Sequence, residues 1–216
     1  MDNYKLSIII PMYNCCTNVA KNLAILNDQR DGKFYDLEVL VINDGSKEDT
    51  SLVQNLCKTY GFDYYSHENM GGAATCNRGL SLVSGDYFTF IDADDSIASN
   101  YLDIIFEEIS SGEYDYITHR WQLQSGVIGD QHEKPLVNWN VWSNVYRTGI
   151  FNETMFDNDI IFAWDIDWLR RLPFTQDTKI LCSTAITNIY NENNPESTTN
   201  KFYRGEIPAR KSDIQK

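Results

Sequence analysis

The sequence predicts an α/β fold with a mainly parallel sheet flanked by helices, and three observations carry that prediction. Short apolar runs alternate with longer segments of helical apolar spacing, each apolar run stops at turn-forming residues, and the intervals between runs call for right-handed crossovers. One such run, Tyr87-Phe-Thr-Phe-Ile-Asp-Ala-Asp-Asp-Ser96, packs three carboxylates into four positions at its end. In an open α/β sheet ligands bind at the carboxyl ends of the strands, and close-set carboxylates suit a hard divalent cation.

The first strand is Leu6 to Pro11, where Ile8-Ile9-Ile10 is followed by a proline that ends the pairing. Thr17 or Asn18 is expected to cap a helix running to about Asp28, since Val19, Leu23 and Leu26 recur at helical spacing. Leu37 to Ile42 reads as a second buried strand, and Asn43-Asp44-Gly45-Ser46 as the turn that closes it. A helix follows from about Glu48 to Tyr60 with Leu52, Val53 and Leu56 on its inner face. Phe62 to Ser66 is a short strand, Glu68 to Gly72 a loop, Ala73 to Val83 a helix and Tyr87 to Ile91 the fourth strand. Past Tyr101 the pattern thins. Asn100 to Ile109 and Trp164 to Leu172 read as helices, and Tyr114 to Trp121 and Gly126 to Asp130 as strands around Gln124-Ser125-Gly126. The polar run Asn191 to Asn200 suits a mobile loop over a site.

With 216 residues and 42% hydrophobic content, one substantial core is expected, and hence one domain (1–216) with a first half 1–101 and a second half 102–216. No run approaches the roughly 20 apolar residues that span a bilayer, and the start lacks the apolar core of a signal peptide. The five cysteines are odd in number and lack paired metal-binding spacing, and the three histidines are scattered. Reduced thiols in a cytoplasm are expected. A net charge of −13 disfavours a nucleic-acid partner, although an acidic protein still binds a diphosphate when a cation bridges the like charges. From Lys201 to Lys216 five basic residues face two acidic ones, a solvated tail or at most a peripheral contact with the inner face of a membrane.

Three strand ends converge in such a sheet: Pro11 to Asn14, Asn43 to Ser46 and Asp92 to Asp95. Their motifs, Ser7-Ile-Ile-Ile-Pro-Met-Tyr-Asn14, Val41-Ile-Asn-Asp-Gly-Ser46 and Phe90-Ile-Asp-Ala-Asp-Asp95, and the loop Glu68-Asn-Met-Gly-Gly72 occur in order across about the first hundred residues. The set resembles family 2 glycosyltransferases of the GT-A fold, and an ordered set is far more specific than any single motif. The resemblance implies inverting transfer of a sugar from a nucleotide-diphosphate donor, expected to be a UDP-sugar, to a hydroxyl of a glycan or lipid-linked acceptor in assembly of a bacterial surface polysaccharide. The first half would bind the nucleotide-sugar and the second the acceptor.

Carried over residue by residue, the resemblance assigns Asp44 to the nucleoside base and Pro11, Tyr13 and Asn14 to the frame of that pocket. Gly71, Gly72 and Asn77 fall in the donor-binding loop and helix, and Asp92 and Ala93 beside the ribose. Asp94 is the expected ligand of Mn²⁺ or Mg²⁺, with Asp92 and Asp95 as further candidates. Cys76 stands where the family usually carries Arg, and Arg78, two residues on, points to a different helix face. The segment Trp164-Asp165-Ile-Asp167 resembles the family's late Glu-Asp with Trp in place of Glu, which puts Asp165 at the general base, Asp167 as the alternative, and Asp157 and Asp159 as rivals. Trp164 and Trp168 are either an aromatic platform for an acceptor sugar or simple core packing. Two other classes stay open: a catalytically silent nucleotide-sugar binder, and a sugar nucleotidyltransferase, which would usually carry a Gly-rich basic signature near its first strand.

Overall fold

The computed structural model describes residues 4–129 and 140–213; Asp130 of the expected hairpin, His132 and the last three residues of the basic end lie outside them. Strand and helix alternate through β1 (Lys5–Met12), α1 (Cys16–Arg30), β2 (Asp36–Asn43), α2 (Ser51–Tyr60), β3 (Asp63–Ser66), α3 (Gly72–Leu80) and β4 (Tyr87–Phe90). There follow β5 (Ser96–Ile97), α4 (Tyr101–Ser111), β6 (Tyr116–Leu123), β7 (Ile128–Gly129), β8 (Asn144–Arg147), α5 (Trp164–Arg171), β9 (Ile180–Tyr190) and α6 (Thr198–Tyr203).

One sheet runs β3-β2-β1-β4-β8-β6-β9-β5, with β7 paired to β6. β1 lies parallel to β2 on one side and β4 on the other, and β3 extends beyond β2. The chain winds outward from β1 to β3 and then crosses back to β4, so strand order reverses beside β1 and opens a crevice at the carboxyl ends. β8 is antiparallel to both β4 and β6, and β9 is parallel to β6. Two reversals return β6 and β9 to the direction of β4. Their carboxyl ends therefore reach the same rim as those of β1, β2 and β4.

The period-two alternation of a strand sends successive side chains to opposite faces. Ile8 and Ile10 pack with Val19, Leu23 and Val53 on one face, together with Leu102 and Ile105 of α4. Ile9 joins Cys76, Leu80 and Trp168 on the other. Trp168 is fully buried, stacked on Phe156 with ring centroids 4.6 Å apart, a burial worth on the order of 3 kcal/mol.

The expected α/β class with a mainly parallel sheet holds, and several boundaries change for tertiary reasons. Neither Thr17 nor Asn18 caps α1: the helix starts at Cys16, whose backbone N–H is satisfied by Glu48 at 2.8 Å. Glu48 is thereby drawn away from its own helix, which starts only at Ser51, where Asp49 accepts the Ser51 N–H at 2.9 Å. Leu52, expected inside, is 54% exposed, while Val53 and Cys57 are buried. α3 ends at Leu80 rather than Val83. β5, β8 and the long β9 are additions to the expected set. No helix among the described residues is long and apolar enough to cross a membrane.

Candidate active site

A cavity of about 970 Å³ occupies the crevice. The exit of β1 contributes Pro11, Tyr13 and Asn14, and the exit of β2 contributes Asp44. Asp92, Ala93 and Asp94 follow β4, and Gly71 and Gly72 open α3. Trp164 and Asp165 enter from the start of α5. Asn14 takes a left-handed conformation (φ 53°), which asparagine tolerates better than most residues. It ties two strand exits together: its N–H donates to Ser46 Oγ at 2.9 Å and its Oδ1 accepts from Lys47 N at 2.8 Å.

Asp44 is 4% exposed and organises the neighbouring loop. Its Oδ1 accepts the Met70 N–H at 2.7 Å, and its Oδ2 accepts the Gly71 N–H at 3.0 Å and Asn69 Nδ2 at 3.1 Å. The next residue leaves no room for a side chain. Gly45 has φ +66°, and a Cβ there would stand 2.7 Å from Asn69 N. Gly45→Ala is therefore expected to destabilise the protein by about 1–3 kcal/mol and to displace the 67–71 loop. Chemical denaturation measures the first effect, and faster hydrogen exchange across residues 67–71 reports the second.

The carboxylates after β4 differ in their surroundings. One oxygen each from Asp92, Asp94 and Asp95 lies within 4.8 Å of the others. Oxygens on opposite sides of a cation with bonds of about 2.4 Å are separated by that distance, so the group fits a hard divalent ion. Asp95 is buried behind the cavity wall: Oδ1 accepts the Asn191 N–H at 2.8 Å and Oδ2 has no hydrogen-bond partner. Burial, then the charge of Asp94, pushes its carboxyl up to about 8. Burial also raises Asp92 well above the usual carboxylate range, with Asp95, Asp94 and Asp165 adding to the shift. Asp94 faces the cavity, and its Oδ2 accepts from Asn194 Nδ2 at 2.6 Å. The orphaned oxygen and the crowded charge are what a cation would relieve.

Asp165 sits in the cavity wall, where burial pushes its carboxyl up to about 6 against an opposing bond from the Ile166 N–H at 2.9 Å. The residue before Trp164 is strained: Ala163 has φ +61°, a conformation that costs a non-glycine residue about 1 kcal/mol or more. The rivals have other partners. Asp167 pairs with Arg171 at 2.8 Å one turn along α5. Asp159 accepts both the N–H and the hydroxyl of Ser212, and Asp157 lies 3.5 Å from Arg210. The two tryptophans also separate. Trp164 lines the cavity and packs against Gly72, while Trp168 belongs to the core.

Asn77 does not line the cavity. Its side chain accepts the Phe156 N–H at 2.7 Å and donates to Phe156 O and Asn158 Oδ1, each at 3.0 Å, clamping that segment to α3. Cys76 is fully buried, and its thiol is held well above its usual range by burial and by Asp92, Asp165 and Asp44. Arg78 lies outside on the Tyr65 ring.

Sequence reasoning missed an aromatic rim that the expected strand β6 shares with the added strands. Trp121 of β6, Trp142 just before β8 and Tyr190 at the end of β9 line the cavity, with Trp142 and Tyr190 stacked at 5.7 Å. The available signal was the β-branched run of Ile180 to Tyr190. Asn191 and Asn194 belong to the polar run expected as a loop over a site, and what that expectation lacks is their bonds to the carboxylates after β4.

Residues 7–174 match the model of glycosyl transferase family 2. The chain is 28% identical over 182 residues to the glycosyltransferase GlyA of Streptococcus pneumoniae, covering 78% of this chain and 25% of that protein. It spans about a quarter to two fifths of the length of curated relatives it matches. Its backbone is similar to TarS of S. aureus in complex with UDP-GlcNAc (TM-score 0.78, 18% identity, 90% of this chain and 60% of that one). It is also similar to glucosyl-3-phosphoglycerate synthase of Mycobacterium tuberculosis in complex with Mn²⁺, UDP and glucosyl-3-phosphoglycerate (TM-score 0.62, 16% identity, 94% and 77%). Three motifs at converging strand ends and a fourth in the loop before α3, a match over most of the chain and the shared GT-A backbone place this chain in glycosyltransferase family 2.

Proposed function

We propose that the cavity transfers a sugar, with inversion, from a nucleotide-diphosphate donor, a UDP-sugar, to a hydroxyl of a glycan or lipid-linked acceptor. One observation carries the reading: an acidic cluster fit for a cation and a carboxylate of raised pKa face a single cavity from opposite halves of the chain. Bacterial surface-glycan assembly at the cytoplasmic face of a membrane is the setting that the family resemblance suggests.

In this mechanism the loop held by Asp44 and the exit of β1 seat the nucleoside, with Asp92 and Ala93 beside the ribose. Asp94, with Asp92, would hold Mn²⁺ or Mg²⁺, which supplies Lewis-acid neutralisation of the charge gathering on the departing diphosphate. Asp165 accepts the proton of the acceptor hydroxyl as that oxygen attacks the anomeric carbon. The bond from that carbon to the diphosphate oxygen breaks, and the nucleoside diphosphate leaves. A base with a pKa near 6 is ionised at neutral pH and still basic enough to accept the proton.

A thermal-shift panel of nucleotide-sugars with and without Mn²⁺, followed by transfer assays and NMR of the product anomer, tests the proposal. Saturation at 100 times Kd should stabilise the protein by about 2.7 kcal/mol. If no nucleotide stabilises the chain, the reading is wrong; if binding occurs without turnover on suitable acceptors, the chain is a silent binder.

A further inference from the structure

The cavity has an imbalance of charge that a diphosphate must overcome. Among the described residues its lining holds six carboxylates (Asp44, Glu48, Asp92, Asp94, Asp165 and Glu196) and two lysines, Lys201 and Lys211. Lys201 is paired with Glu196 at 2.8 Å. Lys211 has no carboxylate within 4.0 Å among the described residues, and its Nζ donates to the backbone oxygen of Met70 at 2.9 Å. An ammonium has three donors, so two remain for a ligand.

The position of Lys211 is set by its backbone. Its N–H donates to Asp159 O at 2.8 Å, Ile160 and Arg210 form an antiparallel bridge, and the Ile161 N–H reaches Ala209 O at 2.8 Å. This lacing fixes the end of the chain along residues 157–162 and sends the lysine across the cavity mouth. The Nζ comes to 3.9 Å from where a Cβ on Gly71 would stand. The loop at Met70 and Gly71 is thus held from two sides, its N–H groups by Asp44 and its carbonyl by Lys211.

We propose that Lys211 binds the diphosphate of the donor and of the departing nucleoside diphosphate, supplying from the distal end of the chain a positive charge that the strand ends lack. This rests on the nucleotide-sugar reading above. Because the backbone around Lys211 is already anchored, little ordering entropy is lost when the side chain closes on an anion, and a charge-assisted bond to phosphate is short and strong.

The test is calorimetric titration in Mn²⁺ with UDP, GDP, CDP and ADP, and then with the monophosphate matching the best of them. Lys211→Gln retains a donor for Met70 O but loses the charge, and Lys211→Arg retains the charge. The expected result is that Lys211→Gln weakens the diphosphate about tenfold and the monophosphate by less than about twofold, with Lys211→Arg close to wild type. Unchanged diphosphate affinity in Lys211→Gln, or equal losses on both nucleotides, overturns the assignment while leaving the glycosyltransfer reading intact. If the wild-type chain binds none of the four diphosphates, both fall together.

Discussion

Asp94→Asn is expected to cut transfer by about a thousandfold and to remove the Mn²⁺-dependent part of nucleotide stabilisation, because it deletes the cavity-facing charge proposed above to hold the cation. The fold should survive. An asparagine carbonyl still accepts the bond from Asn194, and the charge of Asp94 is among those that raise Asp92 and Asp95. Removing it relieves repulsion, so the metal-free variant should melt at or above the wild-type temperature while losing function. Those opposite signs separate a cation site from a structural acid. A variant that keeps its Mn²⁺-dependent shift would show that Asp94 does not hold the metal, and one that melts well below the wild type without metal would mark Asp94 as a structural acid.

Asp165→Asn is expected to lower kcat by about 10²- to 10⁴-fold with little change in nucleotide affinity, the usual cost of removing a general base. The pH dependence follows from the sign of the shift. Burial disfavours the charged form and raises this carboxyl to about 6, and only the ionised form accepts a proton. Wild-type kcat should therefore fall about tenfold per pH unit below 6 and level off above it. The residual rate of Asp165→Asn should lack that limb. Stability should move the other way. A carboxylate whose folded pKa is raised costs stability as pH rises from its unfolded value through about 6, so the neutral variant should be more stable at pH 7. An unchanged acid limb in the variant would assign the base to another residue.

The first hundred residues were legible because β1, β2 and β4 each carry a buried apolar run that ends in a turn, and only the short β3, exposed at both ends, lacks that signature among the first four strands. Pro11, Asp44 and the Asp92 to Asp95 group are each contiguous with such an end. The second half was harder. β9 begins Ile180-Leu181-Cys182-Ser183-Thr184, and its partners β6 and β5 lie far away in sequence. Its pairing is a tertiary fact, and so is the gathering of Trp121, Trp142 and Tyr190. Helix caps failed for a related reason: Glu48 looks like the start of its own helix but satisfies the start of another. Asn77 shows how a tertiary contact goes unseen: its place in a familiar segment implies the donor, and nothing in the spacing announces that its amide clamps residues 156–158.

By itself the sequence determined the fold class, the family resemblance and the strand ends from which one wall of the cavity is built, because these depend on local patterns read over a few residues. Tertiary structure alone decided how those carboxylates differ. Asp95 is buried with an orphaned oxygen, Asp94 faces the cavity, and Asp165 rather than Asp167 lines it. It also decided that Lys211, 141 residues beyond Met70, closes over the same loop. The physical reason is that burial and charge environment are set by neighbours distant in sequence, and spacing along the chain carries no record of them.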